Sequence, residues 1–362
     1  MNKPVDKAMR MLCSGENMMK DRTVLLKISF SAALLMLLLA VFTLFQGLLP
    51  IVFAPFSLIG GNFLPDDDPN AYPNATAPGY PETPIVIPTP TPTRDPWNPD
   101  YILLRMSQAD ISRGTLVLVN NTHSYESPDE YDLISIADLG SPSYSLITPG
   151  AMISSMAIDA LNDMMDAFYA ETGNSSMAIR SAYRSRVGQQ QVYEHYVRLV
   201  GRVEAQKWAA LPGHSEHHTG LAVDLGRIAN DEVYVFTGAG IYSWFSENSY
   251  RFGFILRYPP DKTEITQINY EPWHFRYVGN PHAYIMQQSN RSLEEYIEML
   301  MNHTTENPFT AMYDGVYSEI YFTTDTEIRL PYNRDFDVSG NNINGFIVTI
   351  MQQTDTLSGT LR

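Results

Sequence analysis

Hydrophobic and polar positions divide the chain into stretches of different rhythm. From Ile28 to Leu49 the sequence is apolar and carries no charged residue. A run of about 20 such residues matches the hydrocarbon thickness of a bilayer. It lacks the polar face that a surface helix of a globular domain shows. The stretch before it, 1–27, has six Lys or Arg against three Asp or Glu, and a basic flank of this kind stays in the cytoplasm. After Leu49 the sequence Pro50-Ile51-Val52-Phe53 remains apolar and offers no small-residue cleavage site. These features predict a cytoplasmic tail at 1–27 and an uncleaved transmembrane anchor at 28–49. The remainder is expected outside the cytoplasm, tethered to the cell membrane by a single pass.

Residues 64–99 lose the apolar rhythm and place a proline every few positions. Such a segment favours extended polyproline conformations and acts as a semi-rigid spacer. At about 3 Å per residue it reaches on the order of 100 Å from the bilayer. Alternating and helical patterns then follow one another. Thr115 to Val119 is a β-branched apolar run closed by Asn120-Asn121 and predicts a strand. Between Ser154 and Thr172, the residues Ile158, Leu161, Met164, Met165 and Phe168 recur at helical spacing, with Gly173 as a C-terminal cap. Met177–Ser181 leads into a turn, and Gln189–Val200 predicts a second helix. The run Leu221 to Leu225 alternates, which turns Leu221, Val223 and Leu225 to a core and Ala222 and Asp224 away from it. Trp244 sits in a further predicted helix. Phe254–Leu256 and Glu271–Val278 predict strands, and Glu294–Tyr296 a helix. Beyond residue 300, Val316–Thr323, Glu327–Leu330 and Gly345–Met351 are short strands separated by turn residues. They predict a small β extension at 301–362 that packs on the preceding domain at 100–300.

Charge and cysteine content narrow the picture. The 362-residue chain carries a net charge of −16 and residues 1–27 carry +3, so the outer part stands at −19. That excludes nucleic acid as a partner, since phosphate binding needs a basic face. The single cysteine, Cys13, falls on the reducing side of the anchor, and no internal disulfide is available.

Candidate chemistry concentrates in Pro212–Leu225, which reads PGHSEHHTGLAVDL. His214, His217 and His218 lie within five positions, and Asp224 follows His217 after six residues. Gly220 can adopt backbone angles closed to other residues, so the histidine loop can turn onto the strand. Downstream stands Glu271-Pro272-Trp273-His274. Two histidines and a carboxylate, with a glutamate to spare, fit a catalytic zinc site of three protein ligands and one open position. Histidine clusters also occur in solvated loops, and an aspartate at a strand end is often a turn former. Residues three apart on a regular strand face opposite sides. Glu271 and His274 therefore meet only where Pro272 marks a bulge or a strand start. His123, His195, His282 and His303 stand alone and read as structural or exposed.

With these motifs in order, the chain resembles the VanY-like D-alanyl-D-alanine carboxypeptidases, a family of zinc metallopeptidases. The family's Ser-x-His-x6-Asp element matches Ser215-Glu216-His217 through Asp224, and its Glu-x-x-His element matches Glu271 through His274. Its Ser-x-Tyr-Arg-Ser turn matches Ser181-Ala182-Tyr183-Arg184-Ser185. The flanks Tyr250–Phe254 and Arg276–Gly279 agree too. The resemblance spans about residues 100–300. It implies an α+β fold, a mixed or antiparallel sheet with packed helices, as in the zinc D,D-peptidases. It implies Zn2+ held by His217, Asp224 and His274, although His214 and His218 flank His217 and are alternatives to it. Glu271 is then the general base and later acid, and Arg184 polarises the scissile carbonyl. Ser181, Gln189 and Ser215 match positions near the substrate pocket. The implied substrates are peptidoglycan stem peptides, losing a terminal D-alanine. An L,D-carboxypeptidase and a D,D-dipeptidase share the pattern, because bond specificity lies in pocket shape. A non-catalytic wall-binding module that keeps zinc for stability is the remaining alternative, and it has no need of Glu271 or Arg184.

Overall fold

Ser154 begins the chain's most regular helix, α1 (Ser155–Thr172), by accepting the Met156 N–H on its side chain. Gly173 ends it in the left-handed region at φ 68°, where glycine meets no Cβ penalty. Ala157, Ile158, Leu161, Met164, Met165 and Phe168 are buried along one face, the stripe that the helical spacing predicts. The structure, a computed structural model, describes residues 90–126 and 132–353. The expected tail, anchor and most of the spacer lie outside the described residues. Among the described residues no helix is long and apolar enough to cross a membrane.

The stripe on α1 shares one core with residues of a six-stranded sheet, among them Ile179, Val223, Leu225, Phe254 and Phe275. The strands are β1 (Ser145–Leu146), β2 (Met177–Ser181), β3 (Ala222–Ala229), β4 (Glu232–Tyr234), β5 (Phe254–Leu256) and β6 (His274–Tyr277). They run in the order β1-β2-β3-β6-β5, with β4 paired to β3. β1 and β2 are parallel and every other pair is antiparallel. The fold is therefore α+β around a mixed sheet. Helix α2 (Arg186–Val200) follows the arginine turn after β2.

Two expected strands differ. Thr115–Val119 joins no ladder, although Leu116, Val117, Leu118 and Val119 are all buried. Groups from elsewhere satisfy its backbone instead. Arg276 donates to the carbonyls of Thr115 and Val117. The Ser339 hydroxyl accepts the Leu116 N–H, and the Asn342 amide donates to the Leu118 carbonyl. The strand expected from Glu271 begins only at His274. Pro272 has no N–H to give a ladder, and residues 271–274 form a turn closed by the His274 N–H on the Glu271 carbonyl at 3.2 Å.

The C-terminal stretch holds β7 (Phe309–Tyr313), β8 (Val316–Thr323), β9 (Glu327–Pro331), β10 (Asp335–Gly340) and β11 (Phe346–Gln353). Four of them form an antiparallel sheet in the order β7-β8-β11-β10. β9 leaves this sheet and pairs with Tyr101–Arg105, which also pairs with Thr93–Arg94 from the end of the expected spacer. Ile320 and Ile347 join a second core with Leu116, Val278, Tyr296 and Ile297. Its helical members come from α3 (His282–Ser289) and α4 (Leu293–Leu300), the latter opened by a Ser292–Glu295 capping box. The residues on either side of position 300 thus share one apolar interior.

Candidate active site

Strand register sets the site. Asp224 on β3 lies directly opposite His274 on β6, and across a bulge it pairs with Ser181 on β2. Residues opposite one another in an antiparallel pair project to the same face. The histidine loop closes over that face through a 3-10 turn, Glu216–Thr219, ended by Gly220 at φ 69°. A Cβ at Gly220 would stand 3.0 Å from the Ser154 backbone nitrogen and 2.6 Å from Leu133 Cδ2, so space is tight there beside the conformation that favours glycine. The Arg184 N–H donates to the His217 carbonyl at 3.0 Å and ties the arginine turn to the same loop.

His217, Asp224 and His274 converge, each offering a ligand atom within 4.8 Å of the others, and all three are buried. His217 Nε2 is 3.2 Å from Asp224 Oδ2, and His274 Nδ1 is 3.0 Å from Asp224 Oδ1. Zinc takes such donors at about 2.0–2.2 Å in tetrahedral array, which sets them roughly 3.5 Å apart. The His217 Nδ1–H donates to the Ala182 carbonyl at 2.6 Å, which leaves Nε2 with a lone pair facing the cluster. Asp224 Oδ1 is shut from solvent yet accepts no hydrogen bond. A buried carboxylate oxygen without a donor, facing two imidazoles, suits a cation. The donor set therefore fits zinc.

The two other histidines are committed elsewhere. His214 Nδ1 donates to the Asn120 carbonyl at 2.8 Å. His218 donates from Nδ1 to the Arg184 carbonyl at 2.7 Å and accepts the Gly213 N–H on Nε2 at 3.0 Å. Burial pushes His218 down to about 4, which suits a ring that must stay neutral to accept on Nε2.

Glu271 stands at the edge of the cluster, its carboxylate 3.7 Å from His274 Nδ1. Burial raises its carboxyl to about 8 against the opposing pull of His274, with Asp224 adding to the rise. Such a carboxyl can exchange a proton near neutral pH. Burial opposes charge on His274, but the neighbouring carboxylates of Asp224 and Glu216 outweigh it and push the imidazole up to about 9. A cation among the same atoms would take the place of that proton. Arg184 is held from three sides: Nη2 lies 2.7 Å from Ser181 Oγ and 3.5 Å from Asp224 Oδ2, and Nη1 lies 2.9 Å from Gln189 Oε1. Gln189 in turn donates to the Ala210 carbonyl at 2.7 Å. Ser181 and Gln189, expected at the substrate pocket, spend these polar atoms on the guanidinium. Ser215 is buried at the head of the 3-10 turn, where its side chain makes no cap.

A set of charged residues behind the cluster received no role in the motif reading. Arg257 and Arg276 are among the largest fully buried side chains. Both donate to Glu216 Oε1, at 2.8 and 2.7 Å. Arg257 also forks onto Glu294 at 2.6 and 3.0 Å. Position 216 is a free x in the Ser-x-His motif, and its partners lie 41 and 60 residues away. One signal was available: charges set among apolar strand residues, as in Phe254–Arg257 and Phe275-Arg276, need buried partners.

Residues 150–280 match the family model described as VanY, D-alanyl-D-alanine carboxypeptidase. A D-alanyl-D-alanine carboxypeptidase of Enterococcus faecium is 32% identical over 251 residues, 68% of this chain and 78% of the relative. Another from Enterococcus faecalis is 37% identical over 199 residues, 52% of this chain and 68% of the relative. Among solved structures, the vancomycin-resistance D,D-dipeptidase VanXYg in complex with a D-Ala-D-Ala phosphinate analogue aligns with a TM-score of 0.62 at 33% identity. That alignment covers 70% of this chain and 99% of the other.

Proposed function

This chain belongs to the VanY-type D-alanyl-D-alanine carboxypeptidase family, and on that premise we propose that it is a membrane-anchored zinc hydrolase that removes the terminal D-alanine from peptidoglycan stem peptides. The observation that carries the reading is the convergence of His217, Asp224 and His274 in one buried cluster, with Glu271 and Arg184 at its edge. His217 through Nε2, Asp224 through its carboxylate and His274 through Nδ1 would hold the zinc. Bound there, zinc supplies Lewis acidity, lowering the pKa of water and polarising a carbonyl.

The chain's own groups account for the rest. Glu271 takes a proton from the attacking water as its oxygen adds to the scissile carbonyl carbon. Glu271 then returns that proton to the amine as the C–N bond breaks. Arg184 stabilises the oxyanion, a task that suits a permanently charged group locked by Ser181 and Gln189. The anchor rests on the charge-free run at 28–49 and its basic flank.

A second reading, a D,D-dipeptidase, is favoured by the alignment over nearly the whole of VanXYg. Product analysis separates the two. The purified enzyme is offered a pentapeptide stem, its C-terminally amidated twin, and free D-Ala-D-Ala. Release of one D-alanine from the pentapeptide with the amide spared supports the carboxypeptidase. Preference for the free dipeptide supports the dipeptidase, and equal cleavage of both pentapeptides replaces either with an endopeptidase.

A further inference from the structure

We infer that Glu216 is a positioning residue that sets the tautomer of His274, and that Arg257 and Arg276 hold it to that task. The inference rests on the zinc reading above and deepens it. His274 presents Nδ1 to Asp224 and Nε2 to Glu216, whose Oε2 lies 3.4 Å away. The nitrogen that carries the proton is chosen by the partner each one faces. Asp224 and Glu216 are both acceptors, so without a metal each draws a proton to the nitrogen it faces; a cation on the Nδ1 side would displace that proton, and Glu216 would keep the remaining one on Nε2. That leaves the Nδ1 lone pair facing His217 and Asp224, the arrangement a metal ligand needs.

Glu216 can act this way in a fully buried place only as a charged carboxylate. Two guanidiniums on Oε1, at 2.8 and 2.7 Å, hold it so. The network balances itself, because Arg257 also binds Glu294 in a fork, giving two positive and two negative groups. Each member is fixed by a different part of the fold. Arg276 shares β6 with His274 and reaches the carbonyls of Thr115 and Val117. The Arg257 N–H donates to the His274 carbonyl at 3.2 Å, and Glu294 sits on α4. The imidazole is thereby braced on its Nε2 side, away from Asp224.

Replacing Glu216 by glutamine keeps the shape and exposes the chemistry. The glutamine has one oxygen, and two cationic donors compete for it more strongly than one imidazole N–H. Its NH2 then faces His274 Nε2, which favours the tautomer with the proton on Nδ1, inside the cluster. Partners of this kind are worth about 10–100-fold in metal affinity.

The test measures zinc affinity of the full-length protein against a chromophoric chelator, together with the visible spectrum of the cobalt(II)-substituted form. We expect Glu216→Gln to weaken zinc about 10–100-fold and to change the cobalt spectrum. Glu294→Gln cuts the same network at Arg257 without touching His274, and is expected to leave both readouts at the wild-type value. Wild-type affinity in Glu216→Gln, or an equal loss in Glu294→Gln, overturns the inference. Should Glu216→Gln fail to fold, long-range 1H–15N correlation on the zinc-loaded wild type decides: a proton on His274 Nε2 supports the inference, and a proton on Nδ1 overturns it. A wild type with no zinc affinity would remove the functional reading as well.

Discussion

His217 and His218 are adjacent in sequence and opposite in use. His217 turns Nε2 to Asp224, whereas His218 gives both ring nitrogens to the backbone of the arginine turn and of Gly213. His217→Ala is therefore expected to abolish stoichiometric zinc. His218→Ala is expected to keep the zinc and to lower kcat/KM, because the Arg184 carbonyl loses its clasp. Metal analysis beside steady-state kinetics checks both, and a zinc-free His218→Ala protein would reverse the assignment. Glu271 offers a cleaner separation. It lies outside the three-donor set, so Glu271→Ala should retain a full zinc equivalent while turnover falls roughly 10²–10⁴-fold. Turnover near the wild-type rate in a zinc-loaded Glu271→Ala protein would discard the mechanism. These residues were legible through the resemblance of their motifs to the family's, since spacing alone left His214 and His218 open beside His217. Glu216 was not, because what makes it matter is burial beside Arg257 and Arg276, which no local spacing records.

At the level of elements, legibility followed the source of the stabilising partner. Helix α1 could be read from the sequence because its cap, its apolar stripe and its closing glycine all lie within 20 consecutive residues. The segment at 115–119 could not, since its hydrogen bonds come from Arg276, Ser339 and Asn342. A similar long-range junction joins α3, α4 and β11. His282 on α3 bonds the Tyr296 hydroxyl on α4 at 2.8 Å and Thr349 on β11 at 3.1 Å. Burial pushes this imidazole down to about 3. Between that value and the unfolded one near 6.5, the unfolded chain binds a proton that the folded chain refuses. The contribution of His282 to stability is thus intact above about pH 6.5 and declines as the pH falls toward 3. From pH 7 to 4.5 the metal-free wild type should lose on the order of 2–3 kcal/mol more than His282→Gln, at about 1.4 kcal/mol per unit. Urea titrations at the two pH values measure the difference. Identical losses would show that His282 does not resist protonation in the fold.

Across the whole molecule, the division expected at residue 300 runs through a shared interior. Ile320 and Ile347 pack in the same core as Leu116, Val278 and Tyr296, and β9 completes a sheet begun at Thr93. A chain ending at Leu300 is expected to lose cooperative unfolding and near-ultraviolet circular dichroism, because several large apolar side chains would face water at about 1.5–3 kcal/mol each. A sharp, cooperative melt of that fragment would show that the last strands are an addition and not a part of the core. The arrangement also has a consequence in time. Tyr101–Arg105 finds its partner only at Glu327–Pro331, and at roughly 5–20 residues per second a ribosome takes on the order of 10–45 s to make the stretch between them. The segment that receives Arg276 waits just as long for Ser339 and Asn342. During synthesis the nascent chain therefore carries its histidines well before Ser339 and Asn342 arrive to hold the segment that receives Arg276.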